Sequence, residues 1–156
     1  MPKRSAGLLM YRHRGQGIQV FLMHPGGPLW THKDVGAWSV PKGEYTESEA
    51  PLAAAQREFR EETSYVASGP FLPLAPIRQS SGKILTVWAF QGDCDAMAMR
   101  SNTFMMEWPP HSGHQHAFPE VDRAAWFDLA SARQKIVPGQ RGFLDDLQQQ
   151  LREHEQ

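Results

Sequence analysis

Two apolar runs, Gly7–Arg12 and Ile18–His24, lie close together near the start of the chain with Gln16-Gly17 between them, the pattern of a β-hairpin. His24-Pro25-Gly26-Gly27-Pro28 then breaks regular structure, because prolines remove donors and glycines admit unusual dihedrals. Ala37-Trp38-Ser39-Val40 reads as a short strand stopped by Pro41. The spacing predicts a helix from about Ala50 to Thr63, with Thr46 or Ser48 as cap, Pro51 in the first turn and alanines in the body. Leu74–Gln79 and Ile84–Phe90 flank the turn Ser80-Ser81-Gly82-Lys83, and Thr103–Trp108 is a third strand of this half. The polar, proline-flanked stretch Pro109–Pro119 reads as an exposed loop, Ala124–Phe127 as a last short strand and Ser131–Ile136 as weakly helical. From Gly142 onward, Phe143, Leu144, Leu147 and Leu151 fall at helical spacing, a stripe suited to packing on a sheet and secondarily to a dimer seam. These elements predict an α/β chain of the α+β kind with a mainly antiparallel or mixed sheet, lacking the regular alternation of a doubly wound fold.

Length and charge narrow the partners. The 156 residues have room for one domain, 1–156, and their 40% hydrophobic and 21% charged content is ordinary for a soluble globular protein. Sixteen Lys+Arg against seventeen Asp+Glu give a net charge of −1, so nothing in bulk draws the chain to nucleic acid or an anionic membrane, and any anion site must be local. The single Cys94 forms no internal disulfide and suits a reducing compartment. No apolar run approaches the ~20 residues of a membrane span, and Ala6–Tyr11 is short for a signal segment and runs into Arg12-His13-Arg14. The expectation is a cytoplasmic protein, monomer or homodimer, with neither nucleic-acid nor membrane partner.

The chemistry concentrates in Gly43–Tyr65. At about 100° per residue, Glu58 and Glu62 lie about 40° apart on the predicted helix with Glu61 bordering them. Leu52, Ala55 and Phe59 occupy the adjoining arc and anchor it to a core. Carboxylates this close repel in water by a few tenths of a kcal/mol per pair, and a hard divalent cation among them reverses the sign; oxygen ligands suit Mg²⁺, with Mn²⁺ as alternative. Arg57, adjacent to Glu58 and one turn from Glu61, is spaced to hold a carboxylate in place. By itself such a segment is more often a solvated acidic face.

The wider spacing goes further. Gly43, Glu49, Arg57, Glu58, Glu61 and Glu62 match the six most fixed positions of the pattern Gly-x5-Glu-x7-Arg-Glu-U-x-Glu-Glu-x-Gly-U, with Phe59 at the apolar U. At background usage of roughly 5–7% per residue type the coincidence is about 10⁻⁷ per register. The sequence resembles the Nudix hydrolases, and the resemblance implies a mixed sheet sandwiched between helices. Two positions depart from the pattern: Ser64 stands where the family has glycine and Tyr65 where it has an aliphatic residue. Serine tolerates positive φ less well than glycine, so an altered helix end is expected, with the chemistry retained.

The resemblance also implies divalent-cation-dependent cleavage of a phosphoanhydride in a nucleoside diphosphate linked to another group. Glu58 and Glu62 become the principal metal ligands, with the Gly43 carbonyl as a third. Glu61 is a further ligand or helps deprotonate the nucleophile, Arg57 orients Glu58 or Glu61, and Glu49 is an auxiliary acid or a salt-bridge partner. Glu120, shortly before Ala125-Trp126-Phe127, is the ligand expected from the opposite wall, with Asp122 and Glu107 as rivals. Trp38-Ser39-Val40-Pro41-Lys42-Gly43 is similar to the W-x-x-P-K-G run of members acting on dinucleoside polyphosphates or diphosphoinositol polyphosphates, which puts Lys42 at a phosphate. Arg78 and Lys83, on the hairpin after the box, are further phosphate contacts. The weakly favoured substrate is a dinucleoside polyphosphate; the alternatives are oxidised or non-standard nucleoside triphosphates and a non-catalytic nucleotide-sensing domain.

Other features add less. His111, His114 and His116 lack a cysteine partner and helical spacing for zinc, and Gly26-Gly27 is no phosphate-cradling loop because no Gly-Lys-Ser/Thr follows. His24, His32 and Lys33 are candidates for one side of a substrate cleft. Trp30, Trp38, Trp88, Trp108 and Trp126 read mainly as core, and one of them or Tyr45 is the candidate to stack on a base, with no basis in the sequence for choosing.

Overall fold

The computed structural model describes residues 3–154. Every residue from Ser5 to Met10 in β1 (Arg4–Arg14) is buried, and the alternation of the strand divides these side chains between two cores. Ala6, Leu8 and Met10 join one cluster, while Leu9 joins the other. The same division recurs in β2 (Gly17–Pro25), where Phe21 and Met23 face the first cluster and Val20 and Leu22 the second. A sheet buried on both faces needs a helix layer on each. On one side α1 (Pro51–Thr63) supplies Ala54, Ala55 and Phe59; on the other, α2 (Leu129–Lys135) and α3 (Arg141–His154) supply Ala132, Phe143, Leu144 and Leu147. The helices enclose the sheet as predicted, and the α3 stripe packs on the sheet.

The remaining strands are β3 (Lys42–Glu44), β4 (Leu72–Pro73), β5 (Ile77–Arg78), β6 (Ile84–Gln91), β7 (Thr103–Glu107), β8 (Gln115–Pro119) and β9 (Val121–Asp128). Among the described residues seven strands form one mixed sheet along the path β4-β6-β1-β2-β9, with β3 on β1 and β5 on β6. Only the β1–β6 pairing is parallel among them. Strands β7 and β8 form a separate ribbon.

One irregularity of this sheet builds the site. β1 pairs with β2 over Tyr11–Arg14, but nearer its start it pairs instead with β3, through Ser5, Ala6 and Gly7. The chain at 39–44 is wedged between the diverging strands. Leu8 N–H donates to the Pro41 carbonyl at 3.2 Å, and Met23 and Ser39 exchange both backbone hydrogen bonds at 2.9 Å.

Three predicted elements are corrected. Ala37–Val40 is not a strand but a wedge segment carrying isolated bridges, Met23 to Ser39 and Trp38 to Ile136, because its two sides pair with different parts of the fold. Of Leu74–Gln79 only Ile77–Arg78 is strand, as β5; β4 ends at Pro73, before the predicted start, and Ala75 N–H donates to Asp146 on α3 at 2.7 Å instead of to the sheet. The stretch 109–119 is a loop only in its first part; Gln115–Pro119 is β8, its ladder partner β7 lying just before the loop.

Candidate active site

The helix carrying the acidic residues begins at Pro51, after a loop from the wedge, and meets β3 at Glu58. Its N-cap is Ala50, without a side-chain hydrogen bond, and Pro51 opens the first turn as expected. Neither predicted cap serves: the Thr46 and Ser48 hydroxyls bond to each other at 2.7 Å. At the other end Ser64 adopts φ 62, ψ 11, and its N–H reaches the Arg60 carbonyl at 2.8 Å. The expected altered exit is therefore absent, and serine takes the left-handed conformation a glycine would take. Thr63 braces it, donating its hydroxyl to the Phe59 carbonyl at 2.6 Å and accepting from Tyr65 N–H at 3.0 Å.

Arg57 organises three carboxylates. Its Nε and Nη2 grip Glu49 at 2.7 and 2.9 Å, a bidentate fork that closes the loop before α1 onto the helix. Nη1 donates to Glu58 at 2.9 Å and, more loosely, to Glu61 at 3.3 and 3.4 Å. These acceptors raise the Arg57 pKa, Glu49 first, so its charge is permanent; the same hydrogen bond lowers the Glu49 pKa. Glu58 packs over Gly43. A Cβ there would overlap all three atoms of the Glu58 carboxyl group, so only glycine lets the helix come this close to β3.

Glu62 is the most strained group electrostatically. It is largely buried, its Oε2 has no hydrogen-bond partner, and burial pushes its pKa up to about 8, with the Glu58 and Glu120 charges adding to the effect. The Lys42 charge and a hydrogen bond from its backbone pull the other way. Lys42 has the converse problem: burial and the nearby Lys83 lower its pKa, against the favourable charges of Glu62, Glu44 and Glu58.

Lys42, Glu62, Arg78 and Glu120 line one cleft of about 670 Å³, together with Trp30, Ser39, Val40 and Gln140. Of the rivals to Glu120, Asp122 is taken by the buried His24, 2.8 Å from its Nδ1, and Glu107 accepts from His111 N–H at 2.7 Å. Lys83 is ion-paired to Glu44 at 2.8 Å and reaches the site only through its charge at Lys42. His24 is core, while His32 and Lys33 are exposed. His111, His114 and His116 lie on the exposed β7–β8 ribbon. Tyr45 opens onto a different hollow, of about 810 Å³, on the outer side of the loop before α1.

Two contributors escaped the sequence reading. Gln140 is buried; its Oε1 accepts from Val40 N–H at 3.1 Å and its Nε2 donates to Ser39 Oγ at 3.0 Å, fixing the wedge that delivers Lys42 and Gly43. Glu44 holds Lys83. A glutamine in Pro138-Gly139-Gln140 carries no signal of its role in the sequence, nor does a glutamate next to Gly43 of its pairing with Lys83.

Among the described residues, no three His, Cys, Asp or Glu side chains form a ready-made metal cage. The donor chemistry nevertheless fits a hard divalent cation. An unpartnered, buried carboxylate oxygen on Glu62 needs a positive neighbour, and the Glu58 carboxyl packs against the backbone of Gly43, in the space a side chain there would fill.

A model of the NUDIX domain matches residues 1–147. No curated protein matches the sequence. Among solved structures, a C. elegans Ap4A hydrolase in a binary complex is similar with TM-score 0.66 and 20% identity, over 96% of this chain and 98% of that one. A MutT/nudix family protein from Listeria innocua gives TM-score 0.65 and 15% identity, over 99% and 97%. The NUDIX domain of Shewanella oneidensis NrtR, complexed with ADP ribose, gives 0.61 and 18%, over 100% and 90%. At these identities the likeness is one of fold.

Proposed function

This chain belongs to the Nudix family, whose enzymes are pyrophosphohydrolases acting on acid anhydrides, and from that premise we propose that it hydrolyses a phosphoanhydride in a nucleoside diphosphate-linked substrate. The observation that carries the reading is the unpartnered Glu62 oxygen, in the same cleft as Lys42, Arg78 and Glu120. A folded protein keeps a buried, unpartnered carboxylate oxygen only where something else stabilises it.

Nudix enzymes use divalent cations, and Mg²⁺ is the one proposed here, with Mn²⁺ able to replace it. Glu58, Glu62 and the Gly43 carbonyl would hold it, with Glu61 and Glu120 completing the donor set; bound, it supplies charge neutralisation at the phosphates and a more acidic water. The chain's own residues do the rest. Arg57 locks Glu58 and Glu61 to Glu49, so the carboxylates need no reorganisation when substrate arrives. Glu61, the most exposed of the helix carboxylates in this network, takes the proton of the attacking water. Lys42 and Arg78 bind phosphate oxygens, with Lys83, held by Glu44, adding positive charge near Lys42.

A dinucleoside polyphosphate is the favoured substrate, on the tryptophan–proline–lysine–glycine run at Trp38–Gly43, with weak support from the fold likeness to the C. elegans enzyme. The partner is thus a small nucleotide, with no nucleic acid or membrane required, handled by one domain over 1–156. No helix among the described residues is long and apolar enough to cross a membrane. The test is product release from dinucleoside polyphosphates, nucleoside triphosphates and ADP-ribose with Mg²⁺ or Mn²⁺. Turnover is expected, with highest kcat/KM on a dinucleoside polyphosphate and a loss of at least a hundredfold in Glu58→Gln and Glu62→Gln. No turnover on any compound, or full activity in both variants, refutes the proposal; preference for mononucleoside triphosphates refutes the substrate ranking alone.

A further inference from the structure

The cleft has two chemically different ends. Arg78, on β5, lies beyond β6 and β1; Trp30 follows β2, on the other side of the wedge. Both line the same cleft of about 670 Å³, within the ~300–1,000 Å³ typical of small-molecule sites and with room for a base, its sugar and phosphates. Besides Trp30, the apolar part of the cleft lining includes Met23, Pro25, Ala37, Val121 and Val137.

We propose that Trp30 is the platform on which the substrate's nucleobase stacks. The inference deepens the hydrolase reading and rests on it for the identity of the ligand. Trp30 is 37% exposed, whereas Trp38 is 4% exposed and holds the core. Trp88, Trp108, Trp126 and Tyr45 do not line the cleft; Trp126 is also occupied, its Nε1 donating to the Cys94 carbonyl at 3.0 Å and the Arg12 guanidinium lying 4.1 Å from its ring. The Lys33 ammonium lies over one face of the Trp30 ring, 4.8 Å from its centroid, and Trp30 lines the cleft whereas Lys33 does not; the proposal places the base on the opposite face.

The platform is held ready. Trp30 N–H and the Thr31 hydroxyl donate to the Gly27 carbonyl at 3.2 and 3.0 Å, and Lys33 N–H donates to the Trp30 carbonyl at 3.0 Å. Buried His24 fastens the far end of the turn through Nε2, 2.5 Å from the Lys33 carbonyl. Gly26 N–H donates to the Glu120 carbonyl at 2.9 Å, tying the aromatic loop to the backbone of the carboxylate end. An exposed indole on a pinned loop stacks on a base at little cost in conformational entropy.

The test is calorimetric binding of ADP and, separately, inorganic pyrophosphate to wild type, Trp30→Ala and Trp30→Phe in magnesium buffer. Base–aromatic stacking of about 1–3 kcal/mol corresponds to a loss of roughly 5- to 150-fold in ADP affinity for Trp30→Ala. Pyrophosphate affinity should stay within about twofold, and Trp30→Phe should keep most of the ADP affinity. Unchanged ADP affinity in Trp30→Ala, or equal losses for ADP and pyrophosphate, overturns the proposal, as does a wild type that binds no ADP. Hydrolysis of the substrate panel with unchanged ADP affinity in Trp30→Ala overturns the stacking site alone. Trp30-dependent ADP binding without hydrolysis overturns the reaction and leaves the stacking site standing.

Discussion

Replacing Glu62 by Gln is expected to stabilise the metal-free protein, by an amount that grows with pH. The Glu62 carboxyl has its pKa raised from 4.5 to about 8 in the folded state, chiefly by burial. Between those values the folded chain holds a proton that the unfolded chain has released, so stability falls as pH rises, by up to about 1.4 kcal/mol per pH unit. Above about pH 8 the group is charged in both states and the full penalty, at most a few kcal/mol, is present. Glutamine has the shape of the protonated acid and escapes it. One effect works against the gain: Glu62 supports the charge of half-buried Lys42, which the variant gives up. We therefore expect Glu62→Gln to exceed wild type by ~1–3 kcal/mol at pH 8.5 and by almost nothing at pH 5, or about 2–4 °C in melting temperature per kcal/mol for a chain of this size. Thermal and urea melts of both proteins in EDTA at pH 5, 6.5 and 8.5 measure this, and taking the difference cancels the seven histidines they share. Millimolar Mg²⁺ should then raise wild type more than the variant. A variant no more stable than wild type at pH 8.5, or a gap that does not widen from pH 5, would refute the reasoning.

Three further outcomes follow from the same geometry. Gly43→Ala puts a methyl into the Glu58 carboxyl, so kcat should fall at least a hundredfold with a stability loss of about 1–3 kcal/mol, read by kinetics and circular dichroism; an active, stable variant contradicts the packing described. Arg57→Ala should lower kcat about ten- to a hundredfold with little change in KM, and Arg57→Lys should rescue little, because an ammonium cannot reproduce the fork to Glu49 while reaching Glu58; full rescue by lysine would mean that charge alone suffices. Ser64→Gly should raise stability by about 0.5–1 kcal/mol without altering kcat, since it relieves a non-glycine residue at positive φ; a lower melting temperature would show that the serine is not strained.

Much of this was legible in the residues, and the reasons are local. The helix at 51–63 follows from Pro51, the alanines and the three-four spacing of its apolar positions, and its acidic face from the same arithmetic. The Arg57 contacts to Glu58 and Glu61, one and four residues away, follow from helical spacing, whereas its fork to Glu49, eight residues back in the loop, does not. The strands β1, β2 and β6 were readable as continuous apolar runs because both of their faces are covered. The helix cap was misread, since serine and threonine can satisfy each other as well as a backbone, and nothing in their order says which they do.

By itself, then, the sequence determined what depends on neighbours along the chain: the acidic helix, its glycine and arginine, and the family to which they belong. Tertiary structure alone decided what depends on divergence of β1 from β2. It wedged residues 39–44 between them, buried Glu62 beside Lys42, gave Glu120 rather than Asp122 to the cleft, and left Trp30 rather than Trp38 open to a ligand. Those outcomes rest on contacts between residues about 20 to 100 positions apart, whose burial and charge are set only when the sheet closes, and burial is what turns an ordinary glutamate into one that holds its proton up to about pH 8.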